Sequence, residues 1–238
     1  MGTQIVHAGG DTKMKNGICY VAFGEEYDYQ CAHSAFLVRK YSDIPILVVT
    51  NLRERCGEWN EVEGVSFVVV EAEQKENRYF KIRMDLLSPF EVTLFCDTDT
   101  AVQSNEFLGG FERASYHDVM FSVYARITDM DQLPMPDRYG AYVRQDELPQ
   151  NIYKEGVFFF QKTEATHVLF GRWEYYWRLL NCGRDMPALF PATTRAEVLK
   201  LGILPPGWDD RNGHIIVHAF GDHRVEGLPS IKKFKPFD

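Results

Sequence analysis

No stretch of the 238-residue chain is apolar over the roughly 18 residues that a membrane-spanning helix needs, so a span is not expected. Positive charge in excess is also missing. Lys and Arg number 26 against 34 Asp and Glu, a formal net charge of −8, which argues against a broad electrostatic footprint on nucleic acid or anionic lipid. Cysteine is scarce: Cys19, Cys31, Cys56, Cys96 and Cys182 are odd in number, widely spaced and form no Cys-x-x-Cys pair. That argues against a zinc site built on cysteine pairs and fits reduced thiols packed as small apolar residues. Residues 1–17 are polar and Gly-rich, without the apolar core of a secretory signal, so a cytoplasmic location is expected. Internal repeats and low-complexity tracts are absent as well.

What is present is enough for one core. Hydrophobic residues make up 45% of the chain and aromatics 14%, ample for a single domain over 1–238 and short for two. "GICYVAF" (17–23), "IPILVVT" (44–50) and "VSFVVVEA" (65–72) read as buried strands. Between the first two, Tyr27, Cys31, Ala35 and Val38 recur at helical spacing. "NRYFKIRMDLL" (77–87) reads as a helix, stopped by Pro89, and Val92–Cys96 as a fourth strand. Near-continuous apolar strands alternating with helices predict an α/β fold with a mostly parallel sheet flanked by helices. Further on, 129–151 carries three prolines and reads as a long surface loop. "GVFFFQK" reads as a strand, "ATHVLFGRWEYYWRLL" as a helix apolar nearly all round and therefore buried, and "HIIVHAF" as a late strand. The Lys/Pro-rich tail, 227–238, is expected to lie over the surface.

The fourth strand runs directly into Asp97-Thr98-Asp99-Thr100. Alternate side chains of a strand share a face, so Asp97 and Asp99 are expected to point the same way, at the sheet edge where open parallel sheets bind ligands. Two neighbouring carboxylates repel, and a hard divalent cation removes that cost; a solvated acidic turn is the plainer reading. A second constellation bears on the choice. His218 ends the late strand, with Gly221 and Arg224 three and six residues beyond. An imidazole added to two carboxylates suits Mn²⁺, and a basic residue close behind suits a phosphate. A solvated strand-end histidine is the plainer reading here, and it is the one adopted for His214 and His223.

Taken together, "KIRMDLLSPFEVTLFCDTDTAV", "NIYKEGVFFFQ", "RDMPALFPA" and "HIIVHAFGDHR" resemble, in that order, the GT-A-fold glycosyltransferases. The similarity is to the retaining, glycogenin-like and galactosyltransferase-like group and spans about four-fifths of the chain. It implies a Rossmann-like domain whose half at about 17–125 binds a nucleotide-sugar, UDP-linked by the family's habit. The half at about 126–238 would bind the acceptor and supply the late metal ligand. It also implies Mn²⁺ (or Mg²⁺) on Asp97, Asp99 and His218, with Arg224 and Gly221 at the diphosphate. Donor contacts would come from Ala22, Phe23, Gly24, Tyr27, Arg83, Asp97 and Thr98. Asp185 would lie beside the donor sugar, a role compatible with its other reading as a helix N-cap.

Departures from the family pattern are Arg224 for Lys, Met186 for Gln, and a Gly156 that comes five positions after Asn151. Lys81 is read as a solvated helix charge, and Trp173, Tyr175, Tyr176 and Trp177 as core. Trp208 is taken as the better acceptor contact. Asp209 or Asp210 is the candidate base should the reaction invert. Two alternatives stand beside the enzyme. One is a silent binder of nucleotide-sugar or glycan with the same fold. The other is a haloacid-dehalogenase-type phosphatase, whose pattern wants Thr where this chain has Ala101.

Overall fold

The computed structural model describes residues 15–133, 144–181, 185–196 and 198–219. Strand β1 (Asn16–Ala22) sends Ile18, Tyr20 and Ala22 into one apolar layer and Cys19 and Val21 into the other. All are buried, as a strand covered on both faces requires. Helix α1 (Glu25–Arg39) packs Cys31, Ala35 and Val38 onto the first layer. β2 (Ile46–Thr50) and β3 (Val65–Val69) follow. The helix expected over 77–87 is split into α2 (Asn77–Ile82) and α3 (Met84–Leu87), because Arg83 leaves helical geometry at φ −111°, ψ 19°. β4 (Val92–Cys96) is wholly buried and leads into β5 (Thr100–Val102) and α4 (Gly109–Ala114).

β6 (Val119–Ile127) was not among the strands expected from sequence; its outer half alternates between exposed and partly covered positions. β7 (Gln150–Gln161) is longer than "GVFFFQK" and takes in the end of the expected loop. The described parts of that loop hold single 3-10 turns at Met130–Gln132 and Gln145–Glu147; 134–143, Cys182, and everything from 220 on, including the tail and His223, lie outside the described residues. α5 (Glu164–Leu179) differs from the fully buried helix expected. Leu169, Phe170 and Trp173 enter the core, while Tyr175 is 60% exposed and Val168 and Leu179 also face outward. α6 (Met186–Thr194), β8 (Leu201–Ile203) and β9 (Ile216–His218) complete the order.

Seven strands form one sheet in the order β3-β2-β1-β4-β7-β6-β8. β1 pairs in parallel with β2 and β4, and β2 with β3. β7 runs antiparallel to both β4 and β6, and β8 is parallel to β6. Only β7 is therefore reversed, and the sheet is mostly parallel, as expected. β5 and β9 stand apart as a two-stranded ribbon. β9 is thus not a strand of the central sheet.

The segment after β2 is tied to α1 by one buried carboxylate. Asp28 accepts from the Cys56 amide at 2.8 Å and from the Trp59 indole at 2.9 Å. Each buried donor left without its partner costs about 1–3 kcal/mol. Asp28→Ala is expected to lower unfolding free energy by about 2–4 kcal/mol, read from the midpoint of a urea transition.

Candidate active site at the switch point of the sheet

The chain leaves β1 toward β2 and β3, then returns to β4 on the other side, so the crevice between β1 and β4 is a topological switch point. Just beyond β1, Gly24 sits at φ +85°, a conformation only glycine adopts without strain. Its N–H donates to Asn51 Oδ1 at 2.8 Å, and a Cβ there would lie 3.0 Å from the Gln74 side chain. Ala22 and Phe23 are buried, and the Phe23 ring packs on Phe80 at 5.1 Å. What this edge offers a ligand is therefore backbone rather than their side chains. Tyr27 is half-buried; burial raises its phenol above the ordinary range, Arg78 opposes, and Asp99 and Asp97 add to the rise.

Beyond β4, the chain turns at once. The Asp97 carbonyl accepts from the Thr100 amide at 3.2 Å and hydroxyl at 2.8 Å, and the Asp97 amide donates to the Gly156 carbonyl at 2.7 Å. Thr98 is buried with its hydroxyl donated to Gln30 at 2.8 Å. It points inward, and its two neighbours point out. β5 then pairs with β9 in a register that sets Thr100 opposite His218, and Ala219 N–H donates to the Asp99 carbonyl at 2.8 Å. His218 Nε2 comes to 3.0 Å from Asp99 Oδ1 and 3.9 Å from Asp97 Oδ2.

One ligand atom from each of Asp97, Asp99 and His218 lies within 4.8 Å of the other two. Two carboxylates and an imidazole fit a divalent cation of the Mn²⁺ or Mg²⁺ kind, with the imidazole favouring a transition metal. On its other side, His218 Nδ1 faces Asp209 Oδ1 at 2.5 Å. Burial pulls the imidazole down, but hydrogen bonds to Asp209 and Asp99 outweigh it and hold His218 well above its ordinary value.

Lys81 is a correction to the sequence reading. Far from being solvated, it is 4% exposed, with Nζ 3.0 Å from Asp97 Oδ1 and 2.8 Å from Asp185 Oδ2. Burial alone lowers a lysine; here Asp185, Asp97 and Glu155 overcome it and keep Lys81 charged. Asp185 occupies the N-cap position of α6, yet its side chain caps nothing. It pairs instead with Lys81 and, at 3.6 Å, with Arg78. Burial works against its ionisation, but Lys81 wins and leaves it below the ordinary carboxylate range. Burial pushes Asp97 up to about 6 against the pull of Lys81 and His218. Glu155, on β7, is pushed to about 8 by burial and by Asp185, despite Lys81.

Gly156 makes the imidazole's position available. A Cβ there would lie 2.1 Å from His218 Cε1 and 3.2 Å from Asp97 Oδ2. A lone glycine in the aromatic run of β7 was a readable sign of such a close approach.

Other candidates fall elsewhere. Arg83 is about 200° around a helix from Lys81 and turns to Tyr79 and to Glu174 at 3.8 Å. Trp208, taken from sequence as an acceptor contact, is buried against Phe159 with ring centroids 5.5 Å apart; this corrects that expectation. Asp210 is exposed and 3.9 Å from Lys154 Nζ. Gly221 and Arg224 lie outside the described residues.

No protein-family model matches the chain, and no curated protein matches it in sequence. Solved structures do. The chain is similar to the bifunctional glycosyltransferase WbbM in its apo form, with a TM-score of 0.61 and 12% identity over 94% of this chain and 50% of that one. It spans half the length of that protein. It is also similar to galactosyltransferase LgtC in complex with donor and acceptor sugar analogues, with a TM-score of 0.56 and 12% identity over 81% of this chain and 74% of that one. Mouse xyloside xylosyltransferase 1, in its apo form, gives a TM-score of 0.58 and 11% identity over 89% of this chain and all of that one. The fold is that of the GT-A-type glycosyltransferases, as the order of motifs implied.

Two substitutions probe the site directly. Lys81→Met leaves Asp97 and Asp185 without their shared cation and is expected to cost about 3–5 kcal/mol in urea unfolding. Gly156→Ala has to displace the imidazole, so Mn²⁺ affinity, titrated on the folded variant, is expected to fall at least about tenfold.

Proposed function

We propose that the protein transfers a sugar from a nucleoside diphosphate sugar, a UDP-sugar by family resemblance, to an acceptor. A divalent cation, Mn²⁺ or Mg²⁺, is held by Asp97, Asp99 and His218. The observation that carries this reading is the meeting of those three side chains, from two distant parts of the chain, at the switch point of a glycosyltransferase-type sheet. When bound, the cation supplies Lewis-acid stabilisation of charge on the departing diphosphate.

The chain's own residues do the rest. Lys81 is a fixed cation beside Asp97, preorganised by its pairing with Asp185, and adds positive potential where negative charge develops. Asp185, held by Lys81 and Arg78, presents a carboxylate of fixed orientation to the donor sugar. Gly24, Asn51 and the β1 end offer close backbone approach to the base. Gly221 and Arg224 remain the proposed diphosphate contacts. The half at about 17–125 supplies the donor pocket and the later half the acceptor side.

Retention is the proposed outcome. Asp209, one of the two acids considered as an inverting base, is sealed in the interior on His218 and the Val157 amide. That favours front-face substitution assisted by the leaving phosphate. Among the described residues no helix is long and apolar enough to cross a membrane.

Met186 supports a second reading, a binder of the same fold without turnover. Its side chain packs toward Ile127, Leu133 and Ile152 and brings no polar group to the sugar. Free nucleoside diphosphate released from a panel of nucleotide-sugars with Mn²⁺ separates the two, because a binder releases none; a phosphatase would release inorganic phosphate instead. Under the transfer reading, Asp99→Asn is expected to lower turnover by at least about 100-fold with the circular dichroism spectrum unchanged. Chelation is expected to abolish release, and added Mn²⁺ to restore it.

A further inference from the structure

Asp209 lies in the segment between β8 and β9, and its side chain has 0% exposure. An interior carboxylate carries a desolvation cost of several kcal/mol unless its oxygens are well satisfied. Both are: Oδ1 accepts from His218 Nδ1 at 2.5 Å, and Oδ2 accepts from the Val157 amide at 3.3 Å. Its neighbour Asp210 is exposed, so the two adjacent acids have unlike tasks.

We propose that Asp209 is a positioning residue for the cation: by accepting from Nδ1 it fixes the rotation of the His218 ring, so that Nε2 is the nitrogen turned toward Asp97, Asp99 and the ion they would hold. This rests on the reading of Asp97, Asp99 and His218 as the cation's ligands. A metal-bound imidazole is oriented by what its second nitrogen donates to. Gly156 leaves room for the Cε1 and Nδ1 edge of the ring, and Asp209 Oδ1 meets Nδ1 there with a hydrogen bond that selects this rotation. Besides the carboxylate, backbone bonds and Lys154 hold the segment. Ile215 N–H bonds to the Gly207 carbonyl at 3.0 Å, His218 N–H to the Asp210 carbonyl at 3.0 Å, and Lys154 to the carbonyl of Asp209 itself.

The test is Mn²⁺ binding by the full chain, read as the free-ion signal in electron paramagnetic resonance, with no turnover involved. Asp209→Ala is expected to weaken Mn²⁺ binding by about 10–100-fold in protein that remains folded by circular dichroism. Asp209→Asn keeps an oxygen for the Nδ1 proton and is expected to stay within about tenfold of the wild type. A purely architectural role would lower the melting temperature of Asp209→Ala while leaving the affinity of the folded fraction unchanged, and that result overturns the inference. Should Asp209→Ala not fold, the wild type carries the test. With Mg²⁺ bound, ¹⁵N-resolved imidazole signals assigned through His218→Gln are expected to show His218 protonated on Nδ1 alone, and a proton on Nε2 overturns the inference. Wild-type protein that takes up no Mn²⁺ overturns the cation site itself, and this inference with it.

Discussion

Like charge held at close quarters is the constraint around which the site is organised. Asp97, Asp99, Asp185 and Asp209 are gathered beyond the end of β4, beside the middle of β7, and Glu155 adds to the field. Such a gathering is unstable by itself, because each carboxylate raises the cost of ionising the next. Lys81 bridges Asp97 to Asp185, and His218 bridges Asp99 to Asp209. The two cationic groups divide the acids into pairs. Asp97 and Asp99 remain on the open side, their side chains still 31% and 15% exposed.

The same constraint explains which residues surround the site. Thr98 turns inward to Gln30, and that forces its two neighbours outward. Gly156 is small because imidazole and carboxylate meet over it. Gly24 takes a left-handed conformation so that backbone, rather than a side chain, borders the crevice. The aromatic core formed by Phe95, Phe158, Phe160, Phe170 and Trp173 gives the sheet end a rigid footing, with Phe95 and Phe158 stacked 5.0 Å apart and Lys81 Nζ lying 5.3 Å over the Phe95 ring.

Much of this was legible before any coordinates. Continuous apolar runs mark β1, β2 and β4 because a strand buried on both faces leaves no polar positions; β3, expected to be buried as well, is an edge strand that is only partly covered and exposes Ser66. Asp97 and Asp99 announce themselves because a period-two pattern continues into the turn. β6 hid because its outer half has no uniform burial, and β8 because three residues are too few to show a period. Lys81 is buried where a solvated charge was expected: α2 is too short to display a stripe, so spacing could not show that this residue faces the strand end. Asp209 and Asp210 are indistinguishable as letters, and only the fold-back of their segment onto β7 and β9 separates them. Trp208 looked like a loop residue and proved to be a core residue that closes over Gly110 and Phe159.

The ribbon of β5 and β9 has a kinetic meaning. It joins three residues that follow the fourth strand to three from near the end of the described chain, and it shares no strand with the main sheet. Contacts so remote in sequence close late, after the loop entropy between them has been overcome. A short, separate pairing is also among the first to open in local fluctuations. The centre is thus expected to be completed only when the end of the described chain folds back, and Val102 and Ile216 of the ribbon, packed in the same apolar layer as β1 and β4, then tie it to the core.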